Sequence, residues 1–139
     1  MERLRRVELP PFEGSIRAGV RLIMTAHLAL PALDGAQAPP ATLSENILSG
    51  LLRQQLGFQG LIVTDAMNML AIQQGERLGK EAVRAVNAGA DLVLLTREVI
   101  DHERVYNALI RAAREGGLDR DAASASARRM GALKAWLAQ

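Results

Sequence analysis

Three short apolar runs, each followed by a helical pattern, predict an α/β fold built on a parallel sheet. The runs are Leu22-Ile23-Met24-Thr25-Ala26-His27, Leu61-Ile62-Val63-Thr64 and Asp91-Leu92-Val93-Leu94-Leu95. They are continuously apolar and lack the alternation of a sheet with one wet face, which marks strands covered on both sides. The 139 residues are 49% hydrophobic and 23% charged, the balance of a globular chain with a real core. They read as a single segment, residues 1–139.

Taken in order, Arg3 to Val7 and Phe12 to Ala18 carry helical patterns. Pro10-Pro11 between them predicts a break, because proline inside a helix removes a hydrogen bond and clashes with the preceding turn. The first strand follows, and then the connection from Pro31 to Pro40, the longest stretch expected to be structureless. It leaves the carboxyl end of a strand, where α/β enzymes carry their functional loops. Thr42-Leu43-Ser44-Glu45 opens the next helix, with Ser44 as cap and Leu43 and Leu48 as a staple. Ile47, Leu48, Leu51, Leu52 and Leu56 form its apolar stripe, and Gly57 ends it.

After the second strand a helix is expected from about Glu76 to Asn87, burying Ala82, Val83 and Val86 before Gly89. A helix starting near Asp101 presents Val105, Tyr106, Leu109, Ile110 and Ala113 and stops at Gly116-Gly117. A last one follows Asp119, with Ala123, Ala127, Met130, Leu133 and Leu137 at helical spacing. Three parallel strands make neither a closed barrel nor a comfortable open sheet, because both outer strands expose unpaired backbone groups. The pattern is that of part of a larger α/β fold, with self-association through the sheet edges as one consequence.

Composition excludes several classes. Formal net charge is +2, and basic residues are interleaved with acids, so no nucleic-acid footprint is expected. Without cysteines there is neither a disulfide framework nor a thiolate metal site. His27 and His102 have no partner at metal-ligand spacing, and no metal or other cofactor is expected. No run reaches the roughly 20 apolar residues of a membrane span. The basic amino-terminal segment lacks the apolar stretch of a signal peptide, and a cytoplasmic location is the expectation.

Asp65 is the chemical signal. It directly follows the second strand, and in parallel α/β proteins ligands gather at the carboxyl ends of strands. By position alone it serves equally as a helix cap or a loop residue. His27 ends the first strand, as a pocket-lining residue or a structural hydrogen-bonding one. Met67 and Met69 stand where they line a site floor or fill irregular core. His102 reads as a solvated helix residue and Asp34 as part of a turn, while Asp91 opens the third strand at the end associated with stability. Phe12, Phe58, Tyr106 and Trp136 fall on helices or helix ends, away from the face at the carboxyl ends of the strands.

The strand Leu22–His27, the Pro31-Ala32-Leu33-Asp34 turn and Pro40-Ala41-Thr42-Leu43-Ser44 together resemble glycoside hydrolase family 3. The run Gly50-Leu51-Leu52-Arg53-Gln54-Gln55-Leu56-Gly57-Phe58-Gln59-Gly60-Leu61-Ile62-Val63-Thr64-Asp65-Ala66-Met67 is similar to it too. So is Ala82-Val83-Arg84-Ala85-Val86-Asn87-Ala88-Gly89-Ala90-Asp91. The likeness is to its bacterial β-N-acetylhexosaminidase branch, which acts on N-acetylglucosamine in peptidoglycan fragments.

The resemblance implies the last part of a (β/α)8 barrel: a helix, then the sixth, seventh and eighth strands with their helices. It implies retaining hydrolysis with Asp65 as nucleophile, and its equivalent histidine favours His27 as a substrate-pocket residue; Met67, by its position after Asp65, is taken as the third residue at the substrate. It also implies that the acid/base histidine and its aspartate partner lie on a loop upstream of these residues. The chain by itself is therefore expected to be inactive. The alternative is a non-catalytic module that associates with a complementary barrel part or with another copy.

Overall fold

A computed structural model describes residues 2–72, 77–96 and 99–139. They form a mixed α/β structure, mostly helical, around a two-stranded parallel sheet. Strand β1 (Leu22–Met24) pairs with β2 (Leu61–Val63) in the register Leu22↔Leu61, Ile23↔Ile62 and Met24↔Val63.

The expected third strand is only partly formed. Leu92 makes one parallel bridge to Val63, and the N–H groups of Asp91 and Leu92 both donate to the Ile62 carbonyl. The ladder then stops because the Leu94 N–H donates to the Thr64 hydroxyl, 2.9 Å away, instead of to a backbone carbonyl. A buried side-chain acceptor has replaced one rung of the sheet.

The break expected at Pro10-Pro11 is also absent. A wide π-type turn, Leu4–Glu8, runs straight into α1 (Leu9–Arg17). Both prolines lie in the first turn of α1, directly after the wide π-type turn, in which the Leu9 N–H reaches back to the Leu4 carbonyl and the chain continues without a break. The connection expected to be structureless contains one helical turn, α2 (Pro31–Asp34), again started by proline.

Beyond α2 the chain returns to the end of β1. The Ala41 N–H donates to the Leu28 carbonyl at 2.8 Å, and the Thr42 N–H to that of Ala26 at 3.3 Å. This return brings Thr42 beside the residues that leave β1.

The helix Asn46–Gln55 is wide, with π-type bonding. Ser44 caps it: its hydroxyl accepts from the Ile47 N–H at 3.2 Å and its carbonyl from the Leu48 N–H. Ile47, Leu48, Leu51 and Leu52 are buried, as the stripe requires, and Leu43 packs against the same core.

Helix α3 spans Leu78–Ala88; the start expected at Glu76 lies outside the described residues. Its buried face carries Leu78, Ala82 and Ala85 rather than Val83 and Val86, which are half-buried. Gly79 permits close approach to α4 (Val99–Glu115), where an added Cβ would stand 2.7 Å from Ala108 Cβ. Gly89 ends α3 at φ +122, a conformation side chains rarely adopt, with Ser49 2.7 Å from where a Cβ would be.

Helix α5 (Arg120–Leu137) is capped by Asp119, whose carboxylate accepts the N–H groups of Asp121 and Ala122. None of its residues is buried. The core is made by Ile23, Leu48, Phe58, Ile62, Met67, Leu78 and their neighbours, enclosing β2 on all sides. By contrast, Leu22 and Met24 of β1 are 39% and 51% exposed. No helix among the described residues is long and apolar enough to cross a membrane.

Candidate active site

The carboxyl ends of β1 and β2 converge with the returning connection. Thr25 and His27 alternate two residues apart and so face the same side of the chain leaving β1. The Thr25 hydroxyl lies 2.7 Å from that of Thr42, and His27 Nδ1 lies 2.9 Å from the Thr42 hydroxyl. His27 Nε2 lies 3.0 Å from the Ala66 carbonyl, which can only accept, so Nε2 carries the proton. His27 is half-buried with both ring nitrogens held by the chain. A ligand would meet the ring's edge or face rather than a free nitrogen.

Asp65 is half-buried beside this group. Its Oδ1 accepts the Ala66 N–H at 2.7 Å, and its own N–H donates to the Thr25 hydroxyl at 3.4 Å, a long bond. From the other side, the Thr64 and Met67 N–H groups donate to the Leu92 and Leu94 carbonyls, each at 2.9 Å. Asn68 Oδ1 accepts from both the N–H and the hydroxyl of Thr96. The turn carrying Asp65 is therefore stitched to both neighbouring segments.

Met67 is 0% exposed and belongs to the core cluster. The expected direct contact with a substrate is not open to a side chain so enclosed; it supports the turn from beneath. Met69 is exposed. No group of three or more potential metal ligands occurs among the described residues.

The opposite end of the strands holds a different carboxylate. Asp91 has a side chain 0% exposed. Its Oδ1 accepts Arg129 Nε and Nη2 at 3.0 and 2.7 Å, and its Oδ2 accepts the Ile62 N–H at 2.8 Å and Arg53 Nη2. Burial pushes the Asp91 carboxyl up, but hydrogen bonds from Arg129, the Ile62 N–H and Ser126, with the charge of Arg53, hold it below its ordinary value. Burial likewise lowers Arg53, against the pull of Asp91. Arg53 also donates to the carbonyls of Phe58 and Gly60.

Sequence reasoning singled out Asp65, His27 and Met67 but gave no role to Thr25, Thr42, Arg53 or Arg129. A usable signal existed for Thr25: a hydroxyl and an imidazole at alternating positions of an otherwise apolar run. The Arg53–Asp91 and Arg129–Asp91 pairs each join residues 38 apart, and no local pattern announces them.

A carboxylate held at the carboxyl end of a buried parallel strand, on a stitched turn, stands where α/β enzymes place their functional groups. Residues 1–133 match the family model described as "Glycosyl hydrolase family 3 N terminal domain". The chain belongs to this family. It is 32% identical over 138 residues to an "Uncharacterized secreted glycosyl hydrolase" of Arthroderma benhamiae, covering 99% of this chain and 38% of that protein. It is 34% identical over 97 residues to a β-hexosaminidase of Methylobacillus flagellatus, covering 70% of this chain and 27% of the relative. A glycoside hydrolase family 3 β-N-acetylglucosaminidase from a Paenibacillus species superposes with a TM-score of 0.90 at 42% identity, over 96% of this chain and 25% of that one. The chain thus spans well under half the length of these relatives.

Proposed function

We propose that these residues form the nucleophile-bearing part of a retaining β-N-acetylhexosaminidase, acting on N-acetylglucosamine-containing glycans such as peptidoglycan fragments. In this reading they supply the last strands and helices of a (β/α)8 barrel. Asp65 attacks the anomeric carbon as a carboxylate, forming a glycosyl-enzyme that water hydrolyses. The observation that carries the reading is Asp65 itself, half-buried at the end of β2 inside the matched region. The β-N-acetylglucosaminidase and β-hexosaminidase relatives support the substrate class.

Neither His27 nor His102 is placed to protonate a leaving group beside Asp65: both His27 nitrogens are engaged, and His102 lies in the first turns of α4. General acid catalysis contributes typically about 10²–10⁴-fold, and substrate positioning can contribute more. The 139 residues alone therefore give no turnover of 4-nitrophenyl N-acetyl-β-glucosaminide. Turnover by them that disappears in Asp65→Asn would overturn this. Joined behind the upstream region of the Paenibacillus enzyme, the chain is expected to hydrolyse the same glycoside, and Asp65→Asn to abolish it. Undiminished turnover in that variant would sink the nucleophile assignment.

A second reading has its own support. An open apolar groove lined by Phe12, Met24, Leu28, Leu51 and Leu52 flanks the exposed face of β1. Under this reading the chain is a non-catalytic module that covers the groove with a complementary barrel part or another copy. A monomeric elution profile of the purified chain would count against it.

A further inference from the structure

Asp65 sits in a ring of hydrogen bonds whose directions all follow once the His27 ring is neutral. The Ala66 carbonyl fixes the proton on His27 Nε2. In the neutral ring Nδ1 is then a bare acceptor, so the Thr42 hydroxyl donates to it at 2.9 Å. With its own proton so used, Thr42 accepts the hydroxyl of Thr25 at 2.7 Å. Thr25 in turn accepts the Asp65 N–H. Each threonine hydroxyl donates once and accepts once, and the series runs one way from the Asp65 N–H to the Ala66 carbonyl.

These two ends belong to the peptides on either side of the Asp65–Ala66 peptide. The peptide between them carries the Ala66 N–H, which holds Asp65 Oδ1 at 2.7 Å. Fixing both flanking peptides therefore fixes the donor that orients the carboxylate.

We infer that His27, Thr42 and Thr25 are positioning residues for Asp65, acting through a one-directional hydrogen-bond ring that requires the neutral, Nε2-protonated form of His27. The inference deepens the reading of Asp65 as a nucleophile and rests on it for its purpose. A doubly protonated ring would donate from Nδ1, turn the Thr42 proton toward Thr25 and deprive the Thr25 proton of its acceptor. Thr42 is 0% exposed, so water does not take the place of a missing partner there.

The test is nitrogen NMR of the full chain, with amide exchange measured alongside. His27 is expected to show an unprotonated, hydrogen-bonded Nδ1 and a protonated Nε2. Thr42→Val keeps the shape of the side chain while removing the hydroxyl. It is expected to speed Asp65 amide exchange roughly fivefold, the effect of one net hydrogen bond, with amides of α4 and α5 unchanged. Thr42→Ser is expected to restore the original rate.

A proton on Nδ1, a ring free of both bonds, or Asp65 exchange indifferent to Thr42→Val would each overturn the inference. A general loss of packing would speed exchange everywhere and would not be reversed specifically at Asp65 by serine. None of these readouts needs a substrate, so they fail separately from the Asp65-dependent turnover that tests the nucleophile.

Discussion

Asp65 and Asp91 mark opposite ends of the same strands and have opposite environments. Asp91 has a fully enclosed side chain with both oxygens saturated by two guanidinium groups and a backbone N–H. Asp65 is half-buried, and the bonds described to its carboxylate come from its own neighbour, Ala66. A carboxylate with both oxygens engaged by two cations and a backbone N–H is a fastener. One held by a single short bond, with part of its surface open, keeps an oxygen for chemistry. Among the described residues, the side chains bonded to the turn that carries Asp65 are threonine hydroxyls and an imidazole, with no guanidinium among them. Position in the fold, rather than residue type, separates the two roles.

Asp91 ties the helix Asn46–Gln55, β2 and α5 together through Arg53, Ile62 and Arg129. Replacing it by Asn leaves two partly buried guanidinium groups without their counter-charge. Removing one partner of a buried pair costs about 3–5 kcal/mol, which urea unfolding is expected to show as a lower midpoint. An unchanged midpoint would break the contrast.

The contrast also sets a pH dependence. The folded Asp91 carboxyl lies below its ordinary value, so the folded chain binds that proton less readily than the unfolded chain. Its stabilisation is complete above the unfolded value of about 3.9 and is lost as pH falls through the lower folded value. Acid titration of stability is expected to show this loss in the native sequence and a shallower acid limb in Asp91→Asn.

Smaller effects follow for the other aspartates. Asp119 caps α5 with two bonds of 2.9 Å. Asp119→Ala is expected to cost about 1 kcal/mol, read as a lower thermal midpoint with α5 amides exchanging first. Asp65→Asn is expected to change stability by no more than about 0.5 kcal/mol, as for a substitution outside core and ion-pair networks. A loss near that of Asp91→Asn would make Asp65 a second fastener and weaken its chemical reading.

Much of the fold was legible because its signals are local. The stripe Ile47, Leu48, Leu51, Leu52, the cap at Ser44, the start of the last helix after Asp119 and the stop at Gly89 all rest on neighbours within a turn or two. The misjudged elements depend on partners or on offset within a turn. Pro10 and Pro11 look like breakers until their place in the first turn is known. The run Asp91–Leu95 has strand composition, yet Thr64 takes the bond that would have extended the ladder.

Asp65 was found from its place after an apolar strand. Its supports were not, because Thr42 reaches Thr25 only through the folded return of residues 31–40, and Met67 reads as open floor until its burial is known.

The central claim is that Asp65 is a nucleophile and Asp91 is not. The most direct measurement is mass spectrometry of the chain joined behind the Paenibacillus upstream region, after incubation with an activated fluoroglycoside of N-acetylglucosamine that slows deglycosylation. The account predicts one added glycosyl mass, carried by the peptide containing Asp65 and missing in Asp65→Asn. A label on another residue, or one that persists in Asp65→Asn, would contradict it.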